Sequence, residues 1–435
     1  MTLKKIATSV GVVLSALACS AYADVNSQLA SLQAQVNQLQ SQVNANGANN
    51  NMMAGVIGIN PALSWEMMSN QGGVGKELNI LKARQAGNMA TVTVGGEFQG
   101  DAVYDHTNTN GKFSNPVVAG YEVPGGSNMT RLAITNGRLA VTASVGNWAT
   151  AYMQLGQSNV GASTDYSTSF GIQDAYVVLG NLSQAPVYGF VGRKDIDFGN
   201  FATVDMYNQP LTRTLFEATG NTAGIGFNGY GFNGTFSLMN GGKTDSKTYV
   251  GSAIQYENLN SSNKSNIDNF AFNASYGMTS GSVAWDIGAG YLNGSSFLNQ
   301  DGQTNGAWDI NGKMSVAGFD LLAEYVATTS DTDHYGNNGN THVAQAWTLG
   351  GDYNFPIMGY KSVVNLEYSQ AYIAQGGNNQ ATQYVLGYRI QPINNVWTGL
   401  EYSYSKNLFN LGSVNAAGSG DVNNSTVVLD ITAMF

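Results

Sequence analysis

From residue 91 to residue 435 the chain alternates apolar and polar positions with a period of two. In "TVTVGGEFQGDAVYD" (91–105), Val92, Val94, Phe98, Ala102 and Tyr104 fall on one face, and Thr91, Thr93, Glu97, Gln99, Asp101 and Asp105 on the other. Runs of this kind predict strands at 91–105, 131–145, 148–156, 170–180, 186–197, 221–229, 232–241, 266–278, 282–293, 305–316, 319–329, 343–355, 361–374, 381–391, 396–406 and 424–435, sixteen in all. A soluble sandwich produces the same alternation, so the connections carry the distinction. Tight joints at 146–147, 229–231, 279–281 and 317–318 alternate with longer stretches rich in Asn, Gly, Ser and Thr. Short turns on one rim and long loops on the other are the plan of a membrane barrel. The predicted fold is therefore an all-β membrane protein, a 16-stranded antiparallel transmembrane β-barrel over 90–435 with a short N-terminal α-helical coiled coil before it.

The pattern ahead of residue 90 is different. Residues 1–23 carry Lys4 and Lys5, an apolar stretch from Ile6 to Cys19 and "AYA" before Asp24, which predicts a secretory signal peptide cleaved after Ala23. Lipoprotein processing at Cys19 is the rival reading. Val25, Leu29, Leu32, Val36, Leu39 and Val43 then repeat at spacings of 4 and 3, an a/d seam that predicts a periplasmic coiled-coil helix over 24–45. So short a seam without flanking charges is marginal as a lone helix, and two readings follow: a homotrimer through 25–43, or a single helix lying against another surface. Residues 46–89 read as a linker and short periplasmic segment. "GGVGKE" (72–77) has the look of a phosphate loop, but Glu77 stands where the magnesium-binding hydroxyl belongs.

Composition sharpens the membrane reading. Only 11% of residues are Asp, Glu, Lys or Arg, while 23 Tyr and 17 Phe rule out general disorder. Trp148, Trp285 and Trp397 fall beside short turns, and Trp308 and Trp347 beside long loops, as in paired interfacial girdles. Removing 1–23 takes away two lysines and no acids, leaving 16 bases against 28 acids, a charge of −12. That charge, with no basic cluster, argues against nucleic acid. The one cysteine, Cys19, lies in the signal. No cofactor motif, no G-x-S-x-G and no HExxH is present, so no enzyme is expected.

If apolar residues face lipid, the opposite parity faces the lumen. Glu97, Asp101, Asp195, Asp197, Asp286, Asp309, Asp320, Glu324, Asp352, Glu367, Glu401 and Asp430 then point inward with Arg138, Arg193, Lys313 and Arg389. Two readings follow: charges that fill the interior as water-bridged pairs, or a cation-preferring eyelet formed with a folded-in loop. Asp331, Asp333, His334 and His342 in one long loop are weak metal candidates, at spacings that match no metal signature.

The signal, the Gln-rich coil at 25–43, "GGEFQGDAVYD" (95–105), "DAYVVLGNLSQAPVYGFVGRKDIDFGNF" (174–201) and the terminal "MF" resemble the LbtU-type siderophore porins of Legionella and related bacteria. The resemblance implies an outer-membrane barrel with a periplasmic coil that takes up ferric siderophore without the usual energy-coupling partner. Independently, the 66 residues from 24 to 89 are too few for a folded plug domain of the energy-coupled kind. A general or cation-preferring porin and a surface adhesion protein are the alternatives.

The chain ends on "VVLDITAMF" (427–435). In steps of two, Phe435, Ala433, Ile431, Leu429 and Val427 form a lipid-facing stripe that ends at the aromatic girdle. This resembles the signal read by the barrel-assembly machinery, with Phe435, Ile431 and Leu429 as its residues. Strand sixteen is then expected to pair with 91–105 so that no edge remains.

Overall fold

The computed structural model describes residues 57–69, 73, 75–115, 118–122, 126–160, 171–240, 254–255, 267–295, 305–331, 343–372, 380–408 and 421–435. The signal peptide and the coiled-coil expectation over 24–45 lie outside the described residues. Sixteen antiparallel strands form the barrel: β1 (Val92–Thr107), β2 (Asn128–Val145), β3 (Ala149–Val160), β4 (Gly171–Gly180), β5 (Val187–Asp195), β6 (Ala218–Gly229), β7 (Phe232–Asn240) and β8 (Ile267–Ser280). The second half is β9 (Val283–Leu292), β10 (Ala307–Val316), β11 (Phe319–Thr328), β12 (Gln345–Ile357), β13 (Tyr360–Tyr372), β14 (Gln380–Ile393), β15 (Val396–Lys406) and β16 (Asn423–Met434).

Closure occurs where the sequence places it. β16 pairs with β1 from Glu97↔Met434 to Thr107↔Asn424, with Asp101 opposite Asp430. The backbone N–H of Gly96 donates to Phe435 O at 2.9 Å, and Phe435 N–H donates to Gly96 O at 3.1 Å. With β16 bonded to both β15 and β1, the ring of sixteen strands is closed. A three-residue strand, Ile57–Ile59, adds in parallel to the start of β1.

The outer face is apolar, with Phe98, Leu132 and Ile431 at 50%, 82% and 54% exposure. Tyr230-Gly231, Ala317-Gly318 and Met358-Gly359 all have positive φ, so these short joints take the mirror-image turns that match strand twist. At the turn rim Phe232, Tyr276 and Trp285 cluster, with centroids 4.6 Å and 5.6 Å apart. At the loop rim Trp347, Tyr368 and Tyr384 form a ladder at 4.9 Å and 4.7 Å, and Trp308 packs on Tyr325 at 5.2 Å. Both girdles are present. Trp397 is not part of them: it shares the inward parity of Gly399 and Glu401, while Leu400 and Tyr402 are exposed on the other face.

Two segments fill the barrel. The connection from β5 to β6, residues 196–217, turns inward and ends in the short helix α3 (Leu211–Phe216). Ile196, Phe198, Phe201, Leu211, Leu215 and Phe216 pack there on a collar of small residues at the loop ends of the strands, among them Ala271, Ala307, Ala346, Ala371 and Ala381. The collar makes room for the loop: larger side chains at those positions would meet it. The second segment is the stretch expected to be a linker. It forms α1 (Pro61–Met68) and α2 (Lys76–Gln85). Asn60 caps α1 by accepting from Leu63 N at 3.1 Å, with Pro61 in the first turn, the usual opening of a helix.

Candidate functional site

Three glutamates on alternate strands hold the inward loop. Glu324 on β11 accepts the backbone N–H of Asn200 and of Phe201, each at 2.8 Å. Glu367 on β13 accepts from Thr203 Oγ1 at 2.8 Å. Glu401 on β15 accepts four donors: Met206 N at 2.9 Å, Tyr207 N at 3.3 Å, Asn208 N at 2.8 Å and Asn208 Nδ2 at 2.6 Å. A loop that leaves a sheet exposes backbone N–H groups, and wall carboxylates satisfy them with charge-assisted bonds. Asp205 on the loop lies between Glu367 and Glu401, and Asn365 Nδ2 donates to it at 2.7 Å. Burial, then the charges of Glu367 and Glu401, push the Asp205 carboxyl well above the usual carboxylate range. On the β1 and β2 side, Arg131 donates to Tyr207 Oη at 3.1 Å and pairs with Asp105 at 3.4 Å.

The helical hairpin occupies the turn-rim half of the lumen, against β2–β5. Leu63, Met67, Met68, Leu78, Ile80 and Leu81 bury against Ala140, Tyr152, Tyr176, Val178, Tyr188 and Phe190 of the inner wall. Six buried aliphatic side chains are worth roughly 9–18 kcal/mol as an upper bound, enough to hold the hairpin in place. Polar links fix its register. Lys76 bridges Asp174 at 3.2 Å and Asp195 at 2.8 Å; Arg84 donates to Gly146 O at 3.0 Å; Arg138 donates to Met68 O and pairs with Glu97 at 3.2 Å. On the opposite wall Trp65 packs on Trp397 at 6.0 Å, and the Arg389 guanidinium lies 5.9 Å from the Trp65 ring and 5.4 Å from that of Trp397.

Lys194 joins the two inserted segments. Its Nζ lies 3.0 Å from Glu77 Oε2 of α2 and 2.8 Å from Asp197 Oδ1 at the start of the inward loop, with all three side chains buried. Burial and the Asp197 charge push the Glu77 carboxyl up to about 8 against the opposing pull of Lys194. Within "GGVGKE", Gly75 precedes α2 and Lys76 and Glu77 open it as ion-pair partners of the wall.

Between α2, the loop residues Gly199 and Asn200, and the inner face of β5–β10 there remains a cavity of about 440 Å³ that reaches the turn rim at Gly231. Its polar lining is mostly amide: Asn79, Asn200, Asn228, Asn233, Asn273 and Asn311. Thr235 and Ser275 add hydroxyls, Leu78 and Tyr188 an apolar strip, and Lys82, Lys313, Asp197 and Asp286 the charges.

The lumen expectations fare unevenly. Glu97, Asp101, Arg138, Asp309, Glu324, Asp352, Glu367, Arg389, Glu401 and Asp430 do face inward. Asp286 and Lys313 stand directly opposite one another across β9 and β10 and line the cavity. Asp309 accepts from Asn311 at 2.5 Å beside the loop, and Asp352 lies 3.7 Å from Arg389 near the turn rim. Asp320 sits there too, accepting from Ser315 and from Asn354 at 3.0 Å. Arg193 stands opposite Ala175 and Asn221 in the ladder, beside Gly192, whose φ of 143° interrupts the regular alternation at this end of β5, and it is half-buried with its Nε enclosed. β5 is apolar on both faces because Tyr188 and Phe190 cover the helices, so apolar character does not mark the lipid side there. Asp195 still reaches Lys76, and Asp197 lies past the strand end. Lys76, Glu77, Asp174, Lys194 and Asp205 were missed by parity reasoning. Their signal was the near-continuous apolar character of "DAYVVLG" and "VYGF", the mark of strands covered on both faces. Asp333, His334 and His342 lie outside the described residues; among those described, no group of three or more His, Cys, Asp or Glu is placed to hold a metal.

A closed sixteen-stranded antiparallel barrel with alternating short turns and long loops, an inward-folded connection and an apolar outer band defines a porin-type barrel. Among the described residues no helix is long and apolar enough to cross a membrane. Solved structures of that class resemble it as folds: DcaP, an outer membrane channel of Acinetobacter baumannii (TM-score 0.54, 16% identity, 79% of this chain and 97% of that one), and Pseudomonas putida OprB (0.55, 10%, 85% and 100%). Salmonella typhi OmpF is a third (0.51, 14%, 79% and 97%). In sequence, a UPF0422 protein of Coxiella burnetii is 21% identical over 290 residues, a match that takes in 61% of this chain and 58% of that protein. No family model matches the chain.

Proposed function

We propose that the protein is an outer-membrane channel for small polar solutes, closed in its resting state by its own loop and helical hairpin. The observation that carries this is the amide-lined cavity left beside two inserted segments in a closed barrel. The outer membrane supplies the lipid for the apolar band, and barrel-assembly machinery is the partner proposed for the Phe435, Ile431 and Leu429 stripe. Conductance of the purified, heat-modifiable protein in planar bilayers tests the reading. Steps that are small in the wild type and grow when α1 and α2 are removed are expected, and a silent protein in both forms would refute it.

Ferric siderophore uptake is the most specific version. The resemblance to siderophore porins supports it, and so does a lumen occupied by the chain itself, which suits a receptor better than an open pore. Large conductance indifferent to ferric siderophore would remove that version and leave a general porin. A cation-preferring eyelet has less support, because Glu324, Glu367 and Glu401 hold the loop instead of facing the cavity. Homotrimer formation through 25–43 and adhesion through the long loops are further proposals, and most of those residues lie outside the described ones. Cross-linking of the folded protein would test the first, and a loop-deleted barrel that transports but no longer adheres would favour the second.

A further inference from the structure

We infer that the cavity between α2 and β5–β10 is a binding subsite for a neutral, polyhydroxylated solute of one or two sugar rings. The inference rests on the channel reading and names what that channel holds. Amides and hydroxyls each donate and accept, so a bank of Asn79, Asn233, Asn311 and Thr235 complements solute hydroxyls, which also do both. An anion would use only the donors of this bank and a cation only its acceptors, leaving the other half unpaired. Each charge on the lining has an opposite charge near it: Asp286 and Lys313 occupy directly facing register positions, Asp197 pairs with Lys194, and Lys82 acts on Glu66 of α1.

A second observation is independent of that count. Thr235 is 7% exposed, and its Oγ1 has no hydrogen-bond partner in the protein; nor has the Oδ1 of its neighbour Asn233. Both residues sit on adjacent inward positions of β7 on the cavity lining, and these two atoms carry bonding capacity that the protein itself leaves unused. Across the cavity Leu78 and Tyr188 offer an apolar strip, which suits the CH face of a sugar ring whose rim carries hydroxyls. The volume of about 440 Å³ is toward the low end of ligand pockets, which span roughly 300–1,000 Å³, and suits one or two sugar rings better than a bulky ferric complex.

Equilibrium dialysis of the folded full chain in detergent micelles, with radiolabelled glucose and sucrose, tests this; glucuronate and glucosamine serve as charged analogues that keep the ring and a ferric hydroxamate as competitor. Glucose or sucrose should bind and the charged analogues bind at least several-fold more weakly. Thr235→Val keeps the shape and removes an unpaired hydroxyl, so its melting temperature should hold or rise while sugar affinity falls about three- to tenfold. Asn233→Leu should weaken binding further, and both variants must keep their heat-modifiability. Equal or tighter binding of glucuronate or glucosamine, affinity untouched by both substitutions, or a ferric hydroxamate bound at this site in place of sugar would each overturn the inference. Parallel bilayer recordings keep the two readings apart. Sugar binding by a protein that never conducts supports the subsite and refutes the channel; conduction without sugar binding does the reverse.

Discussion

Replacing Glu401 with Ala tests whether wall carboxylates set the position of the inward loop. Glu401 is 2% exposed and accepts four donors from three consecutive loop residues, Met206, Tyr207 and Asn208. Hydrogen bonds to a charged group contribute about 1.5–3 kcal/mol each, so a plain sum is roughly 6–12 kcal/mol. That sum overcounts, because the four donors share one carboxylate and the freed N–H groups can turn toward water. The loop is also held by Glu324, by Glu367 and by its apolar packing, which fixes the expected loss at about 3 kcal/mol, on the order of a hundredfold. Amide hydrogen exchange is the direct assay. The amides of 206–208 should exchange on the order of a hundredfold faster in Glu401→Ala, while those of β15 and β16, bonded through their own ladder, keep their protection. Single-channel current should become noisier and larger as the loop swings away. Unchanged exchange at 206–208 would mean that packing alone positions the loop, and the carboxylate argument would fail.

Three further outcomes follow from the same geometry. The Glu77 carboxyl sits near 8 in the docked state against about 4.5 when free, so the docked hairpin binds the proton more tightly; its stabilisation is complete below the free value and is lost as pH rises through about 8. Bilayer conductance should therefore increase between pH 7 and 9, and Glu77→Gln should abolish that rise; a wild type with a flat profile would contradict the assignment. Trp65→Ala removes the ring that packs on Trp397 and Arg389, a loss of about 1–2 kcal/mol of hairpin docking, seen as an open probability up by roughly tenfold. Gly96→Val would place side-chain carbon 2.2 Å from Phe435 Cζ, so the terminal ring must leave β1, and the heat-modifiable fraction on gels should drop; full assembly of that variant would show that the ring contributes little to closure.

Strand count, the course of each strand to within about four residues, membrane-facing parity on most strands and the pairing of 424–435 with 91–105 were all legible in the sequence. The reason is local: a strand with one face in lipid and one in a polar lumen must alternate, and a turn must carry residues that tolerate positive φ. The inner face was not legible, because what covers it comes from elsewhere in the chain. Tyr188 and Phe190 look like lipid-facing residues until α1 and α2 are seen against them, which is why the buried Lys194 was overlooked. Trp397 beside a short turn reads as a girdle residue, yet its partners Trp65 and Arg389 lie inside. The same holds for charge. Glu324, Glu367 and Glu401 share a parity with Asp286, and nothing in their local sequence separates the three that hold a loop from the one that lines a cavity. The sequence by itself determined the barrel, because period and turn chemistry act over a few residues. Only the tertiary structure decided which lumen charges remain free, because that depends on which distant backbone groups arrive to be satisfied.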